Sequence, residues 1–274
     1  MGTSQSSKGA GGGVPMVPSW AGAPPAGSPG WDQPPAEGNE TPSPLSPTPI
    51  APARRWGGAS RSLGGYAKNG DTNAMRRGLG SYVRRGYGGS ATATRRMGGT
   101  STTASALGGV LSGLASGQQT PGSPLDPTIL AGRSVDEVMD AVVEAVRPVD
   151  GTQDAEASRE AIREALSELL TLFPDADLLN LTSEQRDLAI ERFTAHDVYH
   201  RFDLDVGQTI REKSPNAVTA LSRLRQVRDY IKETVAASFR KLREAGQQLT
   251  AGRISEFVHL ALHETFEVFE EFAQ

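Results

Sequence analysis

The feature that most constrains the fold is the carboxy-terminal block from 133 to 274, where apolar residues recur at helical spacing. Long runs of this block contain neither Gly nor Pro, the two residues that disfavour helices most strongly. Two capping boxes mark helix starts, Ser134 with Glu137 and Thr182 with Gln185. The pattern therefore predicts an all-α fold in this region.

Five helices follow from the apolar spacing and from the positions of caps and prolines. They are predicted to run from Ser134 to Pro148, from about Thr152 to Pro174, from Thr182 to Asp203, from Ser214 to Gly246 and from Ile254 to Phe272. In the fourth helix, Ser214 is the expected cap and Pro215 the first helical residue. The inward faces are expected to include Val135, Phe173 and Leu221. Helices of this length can enclose one core, so a helical bundle is predicted.

Composition divides the chain into regions. Residues 1–53 hold 12 of the 18 Pro, and residues 54–117 hold 16 of the 31 Gly. We therefore expect a disordered amino-terminal tail over 1–53, a basic, partly helical Arg/Gly-rich segment over 54–117, a linker over 118–132 and an acidic helical bundle over 133–274. One folded domain is expected rather than two.

Cysteine content and hydropathy exclude several classes of protein. The chain contains no Cys, so it has neither a disulfide framework nor a thiolate metal site. No apolar run reaches the roughly 18 residues that span a bilayer, and the first residues lack the apolar core of a secretory signal. The expected location is therefore the cytoplasm, with no membrane contact.

The formal net charge of -4 conceals a strong segregation of charge. Residues 1–53 carry a net charge of -2, residues 54–117 carry +9 and the remainder carries -11. A basic segment beside an acidic bundle can fold back onto it or can bind an external polyanion, and Coulomb attraction favours both. The charge pattern leaves these alternatives open.

Paired arginines followed by glycine recur in the basic segment, at 54–58, 76–80, 84–89 and 95–99. One interpretation is nucleic-acid binding, with guanidinium groups on phosphates and with Tyr66, Tyr82 and Tyr87 stacked on bases. The other is a helix from about Asp71 that docks on the bundle or on a partner. Its apolar face, which needs such a partner, contains Met75, Leu79, Tyr82 and Val83. A weaker helix is expected over 100–114. The candidate contact residues for nucleic acid or a partner are Arg76, Arg77, Arg84, Arg85, Arg95 and Arg96.

The amino-terminal sequence MGTSQSSKGAGGGVPMVPSW has two features that suggest chemistry. Removal of Met1 would expose Gly2, an unhindered amine that is a good acceptor for acylation. Met1, Gly2 and Ser6 also fit the short myristoylation pattern. Farther along, an apolar segment bounded by prolines is typical of a motif that docks in a groove. Its residues are Val14, Pro15, Met16, Val17, Pro18 and Trp20. An ordinary disordered start and a non-binding linker are the alternatives.

The strongest catalytic pattern is formed by the four histidines. They fall in two pairs at i and i+4, His196 with His200 and His259 with His263, and Glu256 precedes His259 by three residues. Di-metal carboxylate bundles use similar spacing. The second pair lies opposite the apolar stripe of its helix, whereas a bundle metal site faces inward, so we expect solvent-exposed histidines. No phosphate-binding loop and no assignable nucleophile is found. We therefore predict no catalytic residue, no metal site and no cofactor, and a protein that is not an enzyme.

The opening MGTSQSSKG with GGGVPMVPSW, and the later LGSYVRRGYGGSATATRRMGGT, resemble the QatB family of the bacterial Qat anti-phage defence system. The helical block resembles the family only in general character. The resemblance implies three partners: an ATPase (QatA), a QueC-like enzyme (QatC) and a TatD-like nuclease (QatD). Relatives of QatC activate a deazaguanine carboxylate with ATP and join it to an amine. The resemblance therefore implies that Gly2 accepts a deazapurine group and that residues 14–20 dock on QatC.

Three functions are compatible with these patterns. The expected one is a non-enzymatic component of anti-phage defence whose amino-terminal glycine is modified by the QueC-like partner. The alternative is a nucleic-acid-binding adaptor that uses the Arg/Gly-rich segment to recruit a nuclease to phage DNA. A metal-dependent enzyme, built on the histidine pairs, is a third and weaker reading of the pattern.

Overall fold

The computed structural model of the chain describes residues 55–117, 122 and 124–273. Every regular element in these residues is a helix, so the predicted all-α class is confirmed. The predicted tail over 1–53, with Gly2 and the motif at 14–20, lies outside the described residues. Residues 118–121 and 123 of the predicted linker also lie outside them.

Eleven α-helices follow one another in the described part of the chain. They are α1 (Gly57–Asn69), α2 (Thr72–Ser81), α3 (Ser90–Arg96), α4 (Gly98–Ala115), α5 (Pro127–Leu130), α6 (Val135–Val146), α7 (Gln153–Leu172), α8 (Ser183–Phe202), α9 (Gln208–Lys213), α10 (Ala217–Glu244) and α11 (Ile254–Glu270). Two π-helical turns, Tyr82–Tyr87 and Asp203–Gly207, directly follow α2 and α8, and a short 3₁₀ turn, Ala251–Arg253, precedes α11.

The helix starts marked by capping boxes are found where they are predicted. The Ser134 hydroxyl accepts the backbone N–H of Glu137, whose carboxylate accepts the Ser134 N–H in return. Thr182 and Gln185 make the same reciprocal pair at the start of α8. Thr152 caps α7 through the same kind of contact. These bonds satisfy N–H groups that the first turn of a helix cannot pair internally.

The start of α10 differs from the prediction. The side chain of Asn216 accepts the backbone N–H of Thr219, so Asn216 is the cap. The Ser214 hydroxyl instead donates to the carbonyl of Ile210 and closes α9. The prediction of Ser214 as cap and Pro215 as first helical residue was therefore wrong. Asn caps as well as Ser does, and the later start leaves Pro215, which has no N–H, outside the helix.

Helix α8 lies at the centre of the domain. Its buried residues point in all directions and include Ala189, Phe193, Val198 and Phe202. Helices α7, α10 and α4 each pack along α8. A helix covered on several sides has no wide polar face, which is why α8 is only weakly amphipathic.

The basic segment over 54–117 shares one hydrophobic core with the carboxy-terminal helices. The predicted docking face of Met75, Leu79, Tyr82 and Val83 is buried. Helix α4 packs on α8 and α11, α3 packs on α11, and α1 packs on α9. Leu107, Leu111 and Leu114 carry α4 into the core. Helices on both sides of residues 118–132 therefore bury their apolar faces together.

Several glycines of the basic segment allow helices to approach one another closely. A Cβ added to Gly80 would lie 2.5 Å from the backbone nitrogen of Ala273. A Cβ on Gly78 would lie 2.6 Å from Cδ2 of Leu63. Both distances are shorter than van der Waals contact, so these positions accept only glycine without movement of a neighbour. These two glycines thus serve packing within a folded domain.

Three residues that were expected on inward faces are exposed instead. The exposed fractions are 53% for Val135, 40% for Phe173 and 65% for Leu221. Val135 is the first residue of α6, Phe173 directly follows α7, and Leu221 lies in the second turn of α10. Helical spacing identifies the face of a helix but not how far along that face the core reaches.

The described part of 118–132 packs against the rest of the domain. Leu125 and Leu130 are buried and belong to the hydrophobic core. Between them, the carboxylate of Asp126 accepts the backbone N–H and the hydroxyl of Thr128 at the start of α5. Part of this region is therefore an ordered connection between α4 and α6.

Candidate functional site

An aromatic cluster holds the chain where it enters the helical domain. We call it the junction cluster; it comprises Arg55, Trp56, Tyr82, Tyr87 and Asp205. Trp56 stacks on Tyr82 with ring centroids 4.8 Å apart and meets Tyr87 edge-on at 5.3 Å. The Tyr82 and Tyr87 hydroxyls both donate to Oδ2 of Asp205, at 2.9 and 3.0 Å. Arg55 lies 4.3 Å above the Trp56 ring and 3.8 Å from Oδ1 of Asp205.

The two π-helical turns build this cluster. Tyr82 and Tyr87 are the first and last residues of one turn, and Asp205 belongs to the other. A Cβ on Gly86 would lie 2.0 Å from Cζ3 of Trp56, so the indole fits only because residue 86 is glycine. Burial, and then the neighbouring Tyr87 and Asp205, raise the pKa of Tyr82 well above its ordinary value. The hydroxyl therefore remains protonated and donating. Turns of this type often occur at functional sites.

Two of the six candidate arginines make contacts inside the domain. The guanidinium of Arg76 lies over the rings of Tyr230 and Phe272, 5.6 and 5.4 Å from their centroids. Arg84 donates to the backbone carbonyl of Ala273 at 3.0 Å. Both contacts tie the basic segment to α10 or to the end of α11.

The other four candidate arginines lie at the surface. Arg77 forms an exposed ion pair with Asp71 at 3.4 Å. Arg85, Arg95 and Arg96 are exposed. Arg84 is exposed too, so five of the six arginines lie at the surface and only Arg76 is partly buried. The structure does not gather them in one site.

The tyrosines proposed to stack on nucleic-acid bases are buried. Tyr66, Tyr82 and Tyr87 are all in the core. Tyr66 donates its hydroxyl to the carbonyl of Arg223 at 3.0 Å and lies 2.8 Å from Oε1 of Gln226. A base could reach these rings only if the core opened, so the stacking interpretation was wrong for these three residues.

The first histidine pair belongs to a charged network between α7, α8 and α10. Nε2 of His196 lies 3.1 Å from Oε2 of Glu168. Its Nδ1 lies 2.9 Å from Oε2 of Glu164, at an angle that makes no hydrogen bond. Nε2 of His200 lies 2.9 Å from the same Glu164 oxygen. Lys232 donates to both carboxylate oxygens of Glu168, at 2.9 and 2.8 Å. We call these five residues the charged network.

The prediction of solvent-exposed histidines was wrong for this pair. His196 is only 4% exposed, and His200 is partly buried. The sequence did contain a signal, because the two glutamates are also spaced at i and i+4 and face the histidines across the contact between α7 and α8. For the second pair the predicted solvent exposure agrees with the structure at His259, which is exposed, and in part at His263, which is partly exposed.

The charges of the network stabilise one another. Burial raises the pKa of Glu164, but the neighbouring His196 and His200 side chains outweigh it and hold the pKa well below its ordinary value. Burial also raises the pKa of Glu168, and Lys232 and then His196 outweigh it and lower the pKa. Burial lowers the pKa of His200, but Glu164 outweighs it and raises the pKa. The neighbours of Glu164, Glu168 and His200 thus favour the charged form of these three groups.

A groove of about 440 Å³ opens over the network between α7 and α10. His196, Lys232 and Arg228 line it together with the hydroxyl groups of Ser167 and Thr171. In the described ranges, no group of three or more His, Asp or Glu side chains is arranged to hold a metal ion. The lysine and histidine partners already occupy the carboxylates of the network, so the arrangement is suited to holding three helices together.

Within the residues that the structure covers, no helix combines the length and the apolar character needed to cross a bilayer. The fold and its sites define a class of protein. It is an all-α domain in which the junction cluster anchors the start of the described chain and the charged network joins α7, α8 and α10. A family model described as "Qat anti-phage system associated protein QatB" matches residues 88–269, more than half of the chain. The chain belongs to this family, and the predicted resemblance is confirmed.

Membership makes this chain a component of the Qat anti-phage system and implies partners within that system. The matched residues begin after the first π-helical turn and end in α11, so α1, α2 and most of the junction cluster lie outside them. No curated protein and no solved structure matches the chain.

Proposed function

We propose that this chain serves the Qat system as a substrate protein and not as an enzyme. In this proposal the QueC-like partner, QatC, joins a deazapurine acyl group to the amine of Gly2, and the reaction takes place in the cytoplasm. The observation that carries the proposal is the order of the amino-terminal features. An unhindered glycine comes first, a Gly-rich spacer follows, and the apolar segment at 14–20 comes after it.

The chemistry requires a free amine and an activated carboxylate. The Gly2 nitrogen would attack the activated acyl carbon, an amide bond would form, the activating group would leave, and the nitrogen would lose one proton to solvent. Glycine suits this role because it has no side chain to obstruct a narrow active site. The apolar segment would supply binding energy away from the reacting atoms, and its two prolines reduce the entropy lost on docking.

The geometry of the junction cluster supports separate roles for the tail, which would be modified, and for the domain, which would contact other components. Arg55 and Trp56 hold the chain at one point of the domain. If the residues before them behave as a flexible chain, the stretch between Trp20 and Arg55 would span roughly 30–35 Å on average. Gly2 could then enter the active site of QatC while the helical domain contacts another component of the system, such as QatA or QatD.

Intact-mass and peptide spectrometry of the chain coexpressed with QatC tests the proposal. We expect an amino-terminal peptide that begins at Gly2 and carries an added mass. Gly2→Pro should strongly reduce the modification, because the ring makes the nitrogen a hindered secondary amine. An unmodified Gly2 peptide in the presence of active QatC and its deazapurine precursor would refute the proposal. Added mass that persists with inactive QatC would identify another transferase, with a myristoyl group as the first candidate.

Trp20 and Trp31 offer a matched comparison for the docking motif. Both are tryptophans in the Pro-rich region, but only Trp20 belongs to the apolar segment. We expect Trp20→Ala to slow modification, since the indole would be the largest apolar group in the QatC groove, and Trp31→Ala to have little effect. Equal rates for both variants would remove the docking role of 14–20 while leaving Gly2 as acceptor.

A nucleic-acid-binding adaptor remains the second candidate, because Arg77, Arg85, Arg95 and Arg96 lie at the surface. If these arginines contact phosphates, the logarithm of the affinity for duplex DNA should fall with the logarithm of salt concentration by about one unit per contact. Arg85→Gln with Arg95→Gln should reduce this slope. Arg76→Gln is the control, because Arg76 lies over aromatic rings of the domain. Absence of binding at low salt would eliminate this function.

A further inference from the structure

The large apolar side chains that are exposed in the described residues lie at two opposite ends of the helical domain. They are Ile129, Val135, Leu172 and Phe173 at one end, and Val149, Leu204, Val218 and Leu221 at the other. Ion pairs establish the helix directions. Asp154 near the start of α7 pairs with Arg201 near the end of α8, and Glu168 near the end of α7 pairs with Arg192 farther back in α8. Helix α7 therefore runs antiparallel to α8. Contacts of Lys232 with Glu168 and of Arg243 with Glu191 set α10 antiparallel to α8 as well. The start of α10 and the end of α7 are therefore at opposite ends.

One end carries an apolar pair with basic neighbours, which we call the basic end. Val218 is 78% exposed and Leu221 is 65% exposed in the first two turns of α10. They are three residues apart and so lie next to each other on the helix surface. Arg225 is exposed one turn beyond Leu221 on the same face, and Lys213 is exposed at the end of α9. Glu212, beside Lys213, is exposed as well and accepts a hydrogen bond from the Gln208 amide, so the two cations outnumber it.

The other end carries an apolar pair with acidic neighbours, which we call the acidic end. Leu172 is 53% exposed and Phe173 is 40% exposed where α7 finishes. Asp175 and Asp177 follow directly and are exposed. The two ends therefore combine an apolar centre with charged neighbours of opposite sign, which is the composition that protein interfaces favour.

We propose that copies of this chain associate head to tail, with the basic end of one copy seated on the acidic end of the next. The two ends cannot meet within one copy: Lys232, which contacts Glu168, lies 11 residues beyond Leu221, and Leu172 lies four residues beyond Glu168, which together give about 22 Å along the helices. A second copy presents the matching surface in both its apolar centre and its charge. Such a contact pairs two different surfaces, so it can repeat to give a linear chain or a closed ring.

The composition of the two ends determines how this association responds to salt. Attraction between the lysine and arginine side chains and the aspartates is screened as ionic strength rises. The apolar centre is not screened. Added salt should therefore weaken the association and slow its formation without abolishing it.

Sedimentation velocity of the full chain tests the proposal. We expect the wild-type average mass to rise above that of a monomer as protein concentration increases. Leu221→Glu places a carboxylate opposite the acidic end, and Leu172→Asn places an uncharged amide opposite Leu221, so each variant alone should sediment as a monomer. Both positions are exposed, so the variants should fold. Ala106→Glu, at an exposed position of α4, adds the same charge away from both ends and should behave like the wild type.

Mixing the two monomeric variants gives the sharpest outcome. Leu221→Glu keeps a normal acidic end and Leu172→Asn keeps a normal basic end, so an equimolar mixture should form a dimer and nothing larger. A wild-type chain that stays monomeric at all concentrations would overturn the proposal. So would dimerisation of either variant alone, because it would show that like ends pair with each other. A loss of association in Ala106→Glu would place the interface elsewhere and would also overturn it.

Discussion

At position 80, the contact with a neighbouring helix end requires glycine. A Cβ there would lie 2.5 Å from the nitrogen of Ala273 and 2.8 Å from the carbonyl oxygen of Phe269. These are backbone atoms, which cannot turn aside as the end of a side chain can. We expect Gly80→Ala to lower the free energy of unfolding by about 1–3 kcal/mol. Gly109→Ala is the control, since that glycine faces open space in α4 and the change should stabilise by up to about 1 kcal/mol. Urea unfolding measures both, and equal effects would contradict this account.

The charged network should make stability depend on pH. Since Glu164 raises the pKa of His200, the His200 contribution is complete below the pKa of an unfolded His, about 6.5, and is lost as pH rises through the folded value. The pKa of Glu164 is lowered, so its contribution is present above about pH 4.5 and is lost in stronger acid. We therefore expect His200→Asn to destabilise more at about pH 5.5 than at about pH 8. Chemical unfolding at the two pH values measures this. His259→Asn, at an exposed position, should show no such difference, and an equal loss at both pH values for His200→Asn would exclude the network as its cause.

Among the elements, α10 provides a direct test of how its start is capped. The Asn216 side chain pairs a free N–H of the first turn, so Asn216→Ala should cost about 1 kcal/mol of stability. Ser214→Ala should cost less, because Ser214 donates to a carbonyl of α9 and caps no N–H of α10. Thermal unfolding of the two variants decides between the positions. A larger loss of stability for Ser214→Ala than for Asn216→Ala would identify Ser214 as the cap.

At the scale of the whole molecule, the shared core predicts that the carboxy-terminal helices depend on the basic segment. Removal of α1 to α4 would expose the faces of α8 and α11 that Leu107 and Leu111 cover. We expect a fragment of residues 133–274 to keep helical circular dichroism but to lose a cooperative thermal transition. A fragment of residues 55–274 should retain that transition. Cooperative unfolding of the shorter fragment at the same temperature would show that the bundle is an independent domain.

Local interactions explain what could be predicted from the residues alone. Capping boxes at Ser134 and Thr182 and the spacing of apolar residues lie within a few positions of one another, so they define helices before any tertiary contact forms. The all-α class and most helices after residue 133 follow from them. The amino-terminal sequence and the Arg/Gly-rich sequence, whose residues resemble the family in their order, also indicated the family. The roles of Gly2 as acceptor and of the segment at 14–20 as docking motif were inferred from the same resemblance, and they remain predictions.

Only the tertiary structure decided which predicted faces are covered. Leu221 continues an apolar stripe but is exposed, whereas His196 is polar and buried, because coverage depends on where α7 and α10 cross α8. The junction cluster that brings Arg55 to Asp205 has no local signature, since 150 positions separate the two residues in the sequence. Coulomb attraction alone allowed the basic segment either to fold back onto the bundle or to bind an external polyanion. Burial of Leu79, Tyr82 and Leu107 against the acidic helices decided its position, because apolar contact area, unlike net charge, requires one specific arrangement.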